Sequence, residues 1–415
     1  MASPSSASQS APSPAPNSPA PEPPSMPRRR ATVGNYAARA LLALVVAVAL
    51  LTSLLPGGRA AARGALLLPP LLFPDHVGAG VVGAEGIRHT QLTIPSASGP
   101  VYLDVYAPTA PPPPIPGARG GLLFIPGVGD NRTIPQLINL SESVARTGEV
   151  VMEMTTNALI AYDVIAADSD AVVQAFKRLA SWPGVGADRV GIVGFSGGDP
   201  LACMAAADPR IRDQVAFITM FGSYYDVRDY LRDIGRRAIV ENGRLVPWHP
   251  TAVPLTVLAN VLAHALPSPD GARLQAGFAF ENANPLTPDE VPLLSPQGQA
   301  AYHLLAGDQP ARVDANIAEL LPHAGGLLDA LSPSSILGQI KAPIYLLHDH
   351  GDTSIPFTEA QDFAAALTRL HHPHDYLIFT IFDHTQVRGD LPPGELLDNG
   401  ARLVRILYDI LKVGS

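Results

Sequence analysis

Residues 189–198 read Arg-Val-Gly-Ile-Val-Gly-Phe-Ser-Gly-Gly. An apolar strand runs into Gly194-Phe195-Ser196-Gly197-Gly198, and a helix-forming stretch, residues 200–207, follows. A serine nucleophile needs that order. The serine must sit on a sharp strand-to-helix turn, so that its Oγ stands clear of the sheet. Gly194 and Gly198 flank it two residues away, where a Cβ would clash across the turn. The helix beyond the turn offers unpaired N–H groups to a developing oxyanion. The same pattern is also compatible with a glycine-rich turn carrying an incidental serine, so the chemistry depends on partners elsewhere in the chain.

A serine needs a base, and the base needs an orienting acid. Residues 342–350 read Ala-Pro-Ile-Tyr-Leu-Leu-His-Asp-His, followed by Gly351-Asp352-Thr353-Ser354-Ile355-Pro356. This is an apolar strand ending in a loop rich in acid and imidazole. Residues 376–382 form another apolar strand, with Asp383-His384-Thr385 at its end. Ser196, Asp352 and His384 all fall just past strand C-termini, the edge where open α/β sheets place their ligand sites. His348, Asp349 and His350 have the residue types of a zinc site, but no further His/Asp cluster at helical spacing completes one, and no metal is expected.

At these residues the chain resembles the α/β-hydrolase family, in its esterase or dienelactone-hydrolase-like branch. The resemblance covers about residues 88–412. It implies that Ser196 is the nucleophile and Asp352, four residues before Pro356, the acid. It implies that His384, between the last strand and a terminal helix, is the base. Gly127-Val128-Gly129, after the strand 122–125, resembles the family's oxyanion loop, with the Val128 N–H as one donor and the Gly197 N–H as the other. Two departures stand out. Asp349 occupies the position of the glycine that usually follows the histidine of the acid strand, which makes it a rival acid. Pro126-Gly127 stands where His-Gly is common, which removes a side chain but no backbone donor. No cofactor is implied.

The front of the chain is different material. Residues 1–27 hold nine prolines and eight serines. Such a segment buries too little apolar surface to offset chain entropy, so residues 1–35 read as a disordered tail. Residues 36–55 are apolar except for Arg39, Thr52 and Ser53. Twenty residues at ~1.5 Å rise match the thickness of a bilayer core. Four arginines precede that core and two, Arg59 and Arg63, follow. This bias favours a cytoplasmic N-terminus and an extracytoplasmic catalytic part. The alternative is a signal peptide cleaved near Ala60-Ala61-Ala62, giving a secreted enzyme. Residues 56–87 read as a linker.

Residues 1–64 hold six arginines and one acid, which leaves 22 basic and 36 acidic side chains, a net −14, on residues 65–415. A nucleic-acid partner is therefore disfavoured. The single cysteine, Cys203, lies among Leu201, Met204 and Ala205 and reads as a buried thiol.

Strands and helices alternate from residue 90 onward. The pattern predicts a hairpin from 90–94 and 101–106, strands at 122–125, 150–154, 190–195 and 215–221, a helix near 135–147 and a long helix over about 161–181. That alternation predicts an α/β fold with a doubly wound, mostly parallel sheet. It stops between about 225 and 337, a helical, proline-punctuated stretch expected to form a lid insertion within the hydrolase domain 88–415. Leu255, Leu258, Val261, Leu262 and Leu266 recur there at helical spacing. Such a stripe serves core packing or lines a site for an apolar acyl or alkyl group. The expected function is hydrolysis of carboxylic esters of small molecules through an acyl-enzyme. A serine peptidase of the same fold, and a membrane-anchored, catalytically silent binding module, are the alternatives.

Overall fold

The fully apolar run of residues 122–125 lies at the centre of an eight-stranded sheet. The computed structural model describes residues 56–74, 77–83, 86–112, 118–281, 283–380, 382–383, 386–387 and 393–412. The strands are β1 (Ile87–Ser96), β2 (Gly99–Pro108), β3 (Arg119–Ile125), β4 (Val150–Thr156), β5 (Val185–Phe195) and β6 (Val215–Phe221). The small pair β7 (Ala238–Glu241) and β8 (Arg244–Pro247) comes next, then β9 (Ile344–Asp349) and β10 (His374–Phe379). The large sheet runs β1-β2-β4-β3-β5-β6-β9-β10. Only the contacts of β2 with β1 and β4 are antiparallel. The other neighbours pair in parallel.

Every residue of β3 and β4 is buried, as expected of strands covered by helices on both faces. Side chains alternate between the faces. Leu123 and Ile125 join a core with the helices Asp168–Ala180 (Phe176, Leu179), Asp199–Ala207 (Leu201, Cys203) and Phe357–Arg369 (Phe363, Leu367). Leu122 and Phe124 join the opposite core with the helices Pro56–Leu72 (Leu67, Leu72), Pro135–Arg146 (Val144, Ala145) and Pro393–Lys412 (Leu403, Ile406, Ile410). This doubly wound, mostly parallel sheet fits the α/β-hydrolase fold.

Three local features depart from expectation. Residues 56–87, read as a linker, contain the helix Pro56–Leu72, whose Ala60, Leu67 and Leu72 are buried and whose Arg63 pairs with Glu149 at 3.0 Å. The long helix expected from about residue 161 begins at Asp168. Before it, Tyr162 takes a positive φ of 59°, which no helix accommodates. The insertion contains the β7–β8 hairpin, unexpected in a helical stretch. Its turn residues Asn242 and Gly243 have φ of 50° and 76°, the left-handed pair that an Asn-Gly hairpin turn requires.

Otherwise the insertion is helical: Val227–Arg236, Ala252–Ala263, Ser268–Gly277, Pro296–Ala306 and Val313–Leu331. Ser295 caps Pro296–Ala306, its hydroxyl accepting from the Gly298 N–H at 3.1 Å. Leu258, Val261, Leu262 and Leu266 of the stripe are buried in the main core, with Leu255 packed against it. The described residues belong to one compact unit, Thr52–Ser415. Among them no helix is long and apolar enough to cross a membrane. The tail 1–35 and the apolar run 36–55 lie outside the described residues.

Candidate active site

β5 ends at Phe195, and the chain turns at once. Ser196 has φ 53°, a left-handed conformation that an L-residue adopts only where its surroundings hold it there. Residues Ser196–Gly198 form a single 3₁₀ turn that leads into the helix Asp199–Ala207. Both flanking glycines are sterically required. A Cβ on Gly194 would stand 2.3 Å from Asp199 Oδ1 and 2.9 Å from Asp199 Cα. A Cβ on Gly198 would stand 2.4 Å from the Ile125 carbonyl oxygen.

The loop after β3 comes up against this turn. Gly127 has φ 86°, and a Cβ there would lie 3.5 Å from Ser196 Cβ and 3.7 Å from the Gly197 nitrogen. A Cβ on Gly197 would lie 3.0 Å from Val128 Cγ1 and 3.9 Å from the Val128 nitrogen. The two expected oxyanion donors thus sit side by side next to the serine. Asn131, which the sequence reading did not single out, holds that loop: its amide donates to the Pro126 carbonyl at 2.9 Å and the Val128 carbonyl at 3.0 Å. The Gly129 N–H ties the loop to Leu159 at 2.7 Å.

Asp349 is the last residue of β9 and Asp352 follows in the next loop; both are buried. Asp349 Oδ1 accepts from the Gly351 N–H at 2.7 Å. Asp352 Oδ1 accepts from the Ser354 and Ile355 N–H groups at 2.7 and 2.9 Å, and its Oδ2 lies 3.3 Å from His348 Nε2. His348 Nε2 also donates to the Ile355 carbonyl at 2.9 Å. His348 is therefore a buried strut of the acid loop. His350 stacks on Phe357 with ring centroids 4.2 Å apart. Among the described residues no cluster of three His, Cys, Asp or Glu side chains could hold a metal. His384 lies outside the described residues.

Two buried acids at the site were not foreseen. Asp199, three residues after the serine, is fully buried behind the turn. Burial holds its carboxyl well above the usual range, against a smaller pull from the Phe221 N–H. The same burial pushes the Cys203 thiol up, as the neighbouring Asp199 also does. The Cys203 thiol meets the Met220 sulfur at 3.5 Å, a core contact. Glu359 accepts from the Tyr225 and Asp226 N–H groups at 2.7 and 3.1 Å, which fastens the start of the insertion to the helix Phe357–Arg369. A polar residue in an apolar helical run is the only sequence signal for Asp199, and a surface turn produces the same signal.

The insertion also reaches the far side of the site. Asn260 donates to the carbonyls of Ala161 and Tyr162 at 3.2 and 3.0 Å, and His264 pairs with Asp163 at 2.7 Å. Tyr162 stacks on Phe280 at 5.6 Å, and its hydroxyl would lie 3.4 Å from a Cβ on Gly129.

No protein-family model matches the chain, and no curated protein matches it. Among solved structures it is similar to a dipeptidyl peptidase 4 from Porphyromonas gingivalis, with 13% identity and a TM-score of 0.45 over 78% of this chain and 35% of that one. It is similar to a puromycin-hydrolyzing peptidase from Mycobacterium tuberculosis, with 15% identity and a TM-score of 0.47 over 79% and 39%. It is also similar to a 2,6-dihydroxy-pseudo-oxynicotine hydrolase, with 14% identity and a TM-score of 0.45 over 80% and 70%. The chain thus spans little more than a third of the length of the two peptidases. These likenesses concern the fold.

Proposed function

We propose that this chain is a serine hydrolase that cleaves carboxylic ester bonds through an acyl-enzyme. The observation that carries the reading is the left-handed Ser196, held at the C-terminal end of β5 beside the Val128 and Gly197 nitrogens. In this reading Ser196 Oγ attacks the substrate carbonyl carbon while His384 takes its proton. The charge that develops on the carbonyl oxygen is met by the Val128 and Gly197 N–H groups. Collapse of the tetrahedral intermediate breaks the C–O bond, and the histidinium returns its proton to the departing alcohol. Water then repeats the sequence on the acyl-serine, giving the acid and free Ser196. Asp352 holds the histidine tautomer and stabilises the imidazolium. The apolar stripe of the insertion is absorbed by core packing, so the reading names a small-molecule ester and no particular chain length.

Fluorophosphonate labelling tests this directly. The purified wild-type chain is expected to take up one reagent molecule on Ser196, and Ser196→Ala to take up none. Ser196→Ala should also lower ester turnover by several orders of magnitude with the fold intact. Ester hydrolysis at near wild-type rate in the purified Ser196→Ala chain would falsify the mechanism. A panel of esters of graded chain length, run beside aminoacyl amides, separates esterase from peptidase.

A further inference from the structure

The loop that carries Asp352 is bonded to the insertion through three consecutive carbonyls. The Asp352 carbonyl accepts from the Trp248 indole N–H at 2.8 Å. The Thr353 carbonyl accepts from the Thr251 N–H at 2.9 Å. The Ser354 carbonyl accepts from the Tyr230 hydroxyl. Two side-chain contacts join the same surfaces: the Thr251 and Ser354 hydroxyls at 3.3 Å, and His350 Nε2 with Glu241 Oε1 at 3.4 Å.

The donors all belong to the first part of the insertion. Tyr230 is on the helix Val227–Arg236, Trp248 follows β8, and Thr251 precedes the helix Ala252–Ala263. This arm is itself braced. The Trp248 N–H donates to the Arg237 carbonyl at 2.9 Å. Tyr230 stacks on Tyr224 with centroids 5.7 Å apart, and the Trp248 ring lies 6.5 Å from that of Tyr230. Trp248 and Tyr230 are both buried.

We propose that this arm is the mount of the acid, with Trp248 and Tyr230 as positioning residues for Asp352. The inference rests on the reading of Asp352 as the acid that orients His384. The loop's N–H groups at 354 and 355 bond back to the Asp352 carboxylate, while its carbonyls at 352 and 354 bond to the arm. The carboxylate is therefore held by a backbone whose other side is fixed by indole and phenol donors. Removing one donor lets the loop turn and carries the carboxylate with it. The loss falls on catalytic geometry rather than on substrate contacts, and small misplacements of a catalytic group are costly. A carboxylate that meets the imidazole less well also stabilises the imidazolium less, so the histidine titrates at lower pH.

The test uses the full chain and a fluorophosphonate probe, whose labelling rate reports the reactivity of Ser196 without a known substrate. Trp248→Phe keeps the ring and removes the donor. It is expected to slow labelling about tenfold, to shift the acidic limb of the pH–rate profile downward, and to have no further effect in an Asp352→Asn background. Tyr230→Phe, which removes one hydroxyl, should behave in the same way and stands in if Trp248→Phe does not fold. An unchanged rate in a folded Trp248→Phe or Tyr230→Phe chain overturns the inference. So does an equal loss in the Asp352→Asn background, which would mean the residue acts elsewhere. A wild-type chain that takes no label strikes the hydrolase reading itself. Wild-type labelling by Asp352→Asn leaves that reading standing and removes the acid on which the mount depends.

Discussion

Glu153 shows how far a single carboxyl can be moved by its surroundings. It sits in β4 directly opposite Asp104 of β2, and both are buried. Burial raises it from an ordinary 4.5 to about 8, with Asp104 adding to the rise and Ser141, which donates to it at 2.5 Å, opposing. Around the pair also lie His89 and Gln91, which hydrogen-bond to Asp104 at 2.6 and 2.8 Å, Arg132 at 3.7 Å, and the Tyr106 phenol, which burial and then both acids push up. The unfolded chain releases this proton near 4.5 while the folded chain keeps it to about 8. Between those values the folded state binds more protons, so stability falls as pH rises through the window. Glu153→Gln should flatten that fall by a few kcal/mol, read from urea melts of both chains at pH 5 and pH 8. In the loop after β9, Asp352 and Asp349 are rivals for one role. Asp352→Asn should lose far more activity than Asp349→Asn, because only the former leaves His384 in the wrong tautomer. The reverse ranking in a turnover assay moves the acid to Asp349.

At the scale of elements, the turn after β5 depends on close backbone approach. A Cβ on Gly198 meets the Ile125 carbonyl at 2.4 Å and Ile125 Cγ2 at 2.8 Å, and the backbone partner cannot rotate away. Gly198→Ala should therefore cost about 1–3 kcal/mol, seen as a lowered melting temperature together with lost labelling of Ser196. Gly326, inside the helix Val313–Leu331, has nothing within 4 Å of its absent Cβ. Gly326→Ala should gain about 0.5–1 kcal/mol, so the pair separates steric need from helix propensity in one calorimetric comparison. The hairpin β7–β8 carries a strong short-range signal in Asn242-Gly243, which a reading of the whole insertion as helical passes over. The start of the helix Asp168–Ala180 was not legible. The loop before it is held by distant partners, Asn260 and His264 of the insertion, about 100 residues away in sequence.

At the scale of the whole molecule, the described unit begins at the edge opposite Ser196. Gly57 packs against Tyr408 and Leu72 against Gly400, so the helices Pro56–Leu72 and Pro393–Lys412 run antiparallel. Ile410 and Leu411 lie beside Gly120 and Gly121 at the start of β3, whereas Gly198 meets Ile125 at the end of that strand. About 20 Å of strand separates the two edges. Residue 56 therefore enters the body far from the serine. Cleavage near residues 60–62 would cut a helix in which Ala60 is buried, so the anchor and signal-peptide readings of residues 36–55 predict different mature chains, and the anchor reading is the one put to test. The expected outcome is a full-length mature chain that resists carbonate extraction and is digested by protease added to intact cells. A mature chain starting near residue 63 means a secreted enzyme instead. A full-length chain protected from outside protease would reverse the orientation drawn from the arginine count.

Local order along the chain was enough to name the α/β class, the glycine-flanked turn at Ser196 and the apolar strands that end at it. Each depends on neighbours a few residues apart: alternation of strand and helix, or a Cβ that cannot fit across one turn. Tertiary structure decided what depends on distant neighbours. It placed Val128 beside Gly197, brought Asn131 under the loop, buried Asp199 behind the turn, and turned residues 56–72 from expected linker into a packed helix. It also joined Trp248 and Tyr230 to the Asp352 loop across more than a hundred residues. A hydrogen bond or a burial cost exists only once the sheet has brought such residues together, and no spacing along the chain records it.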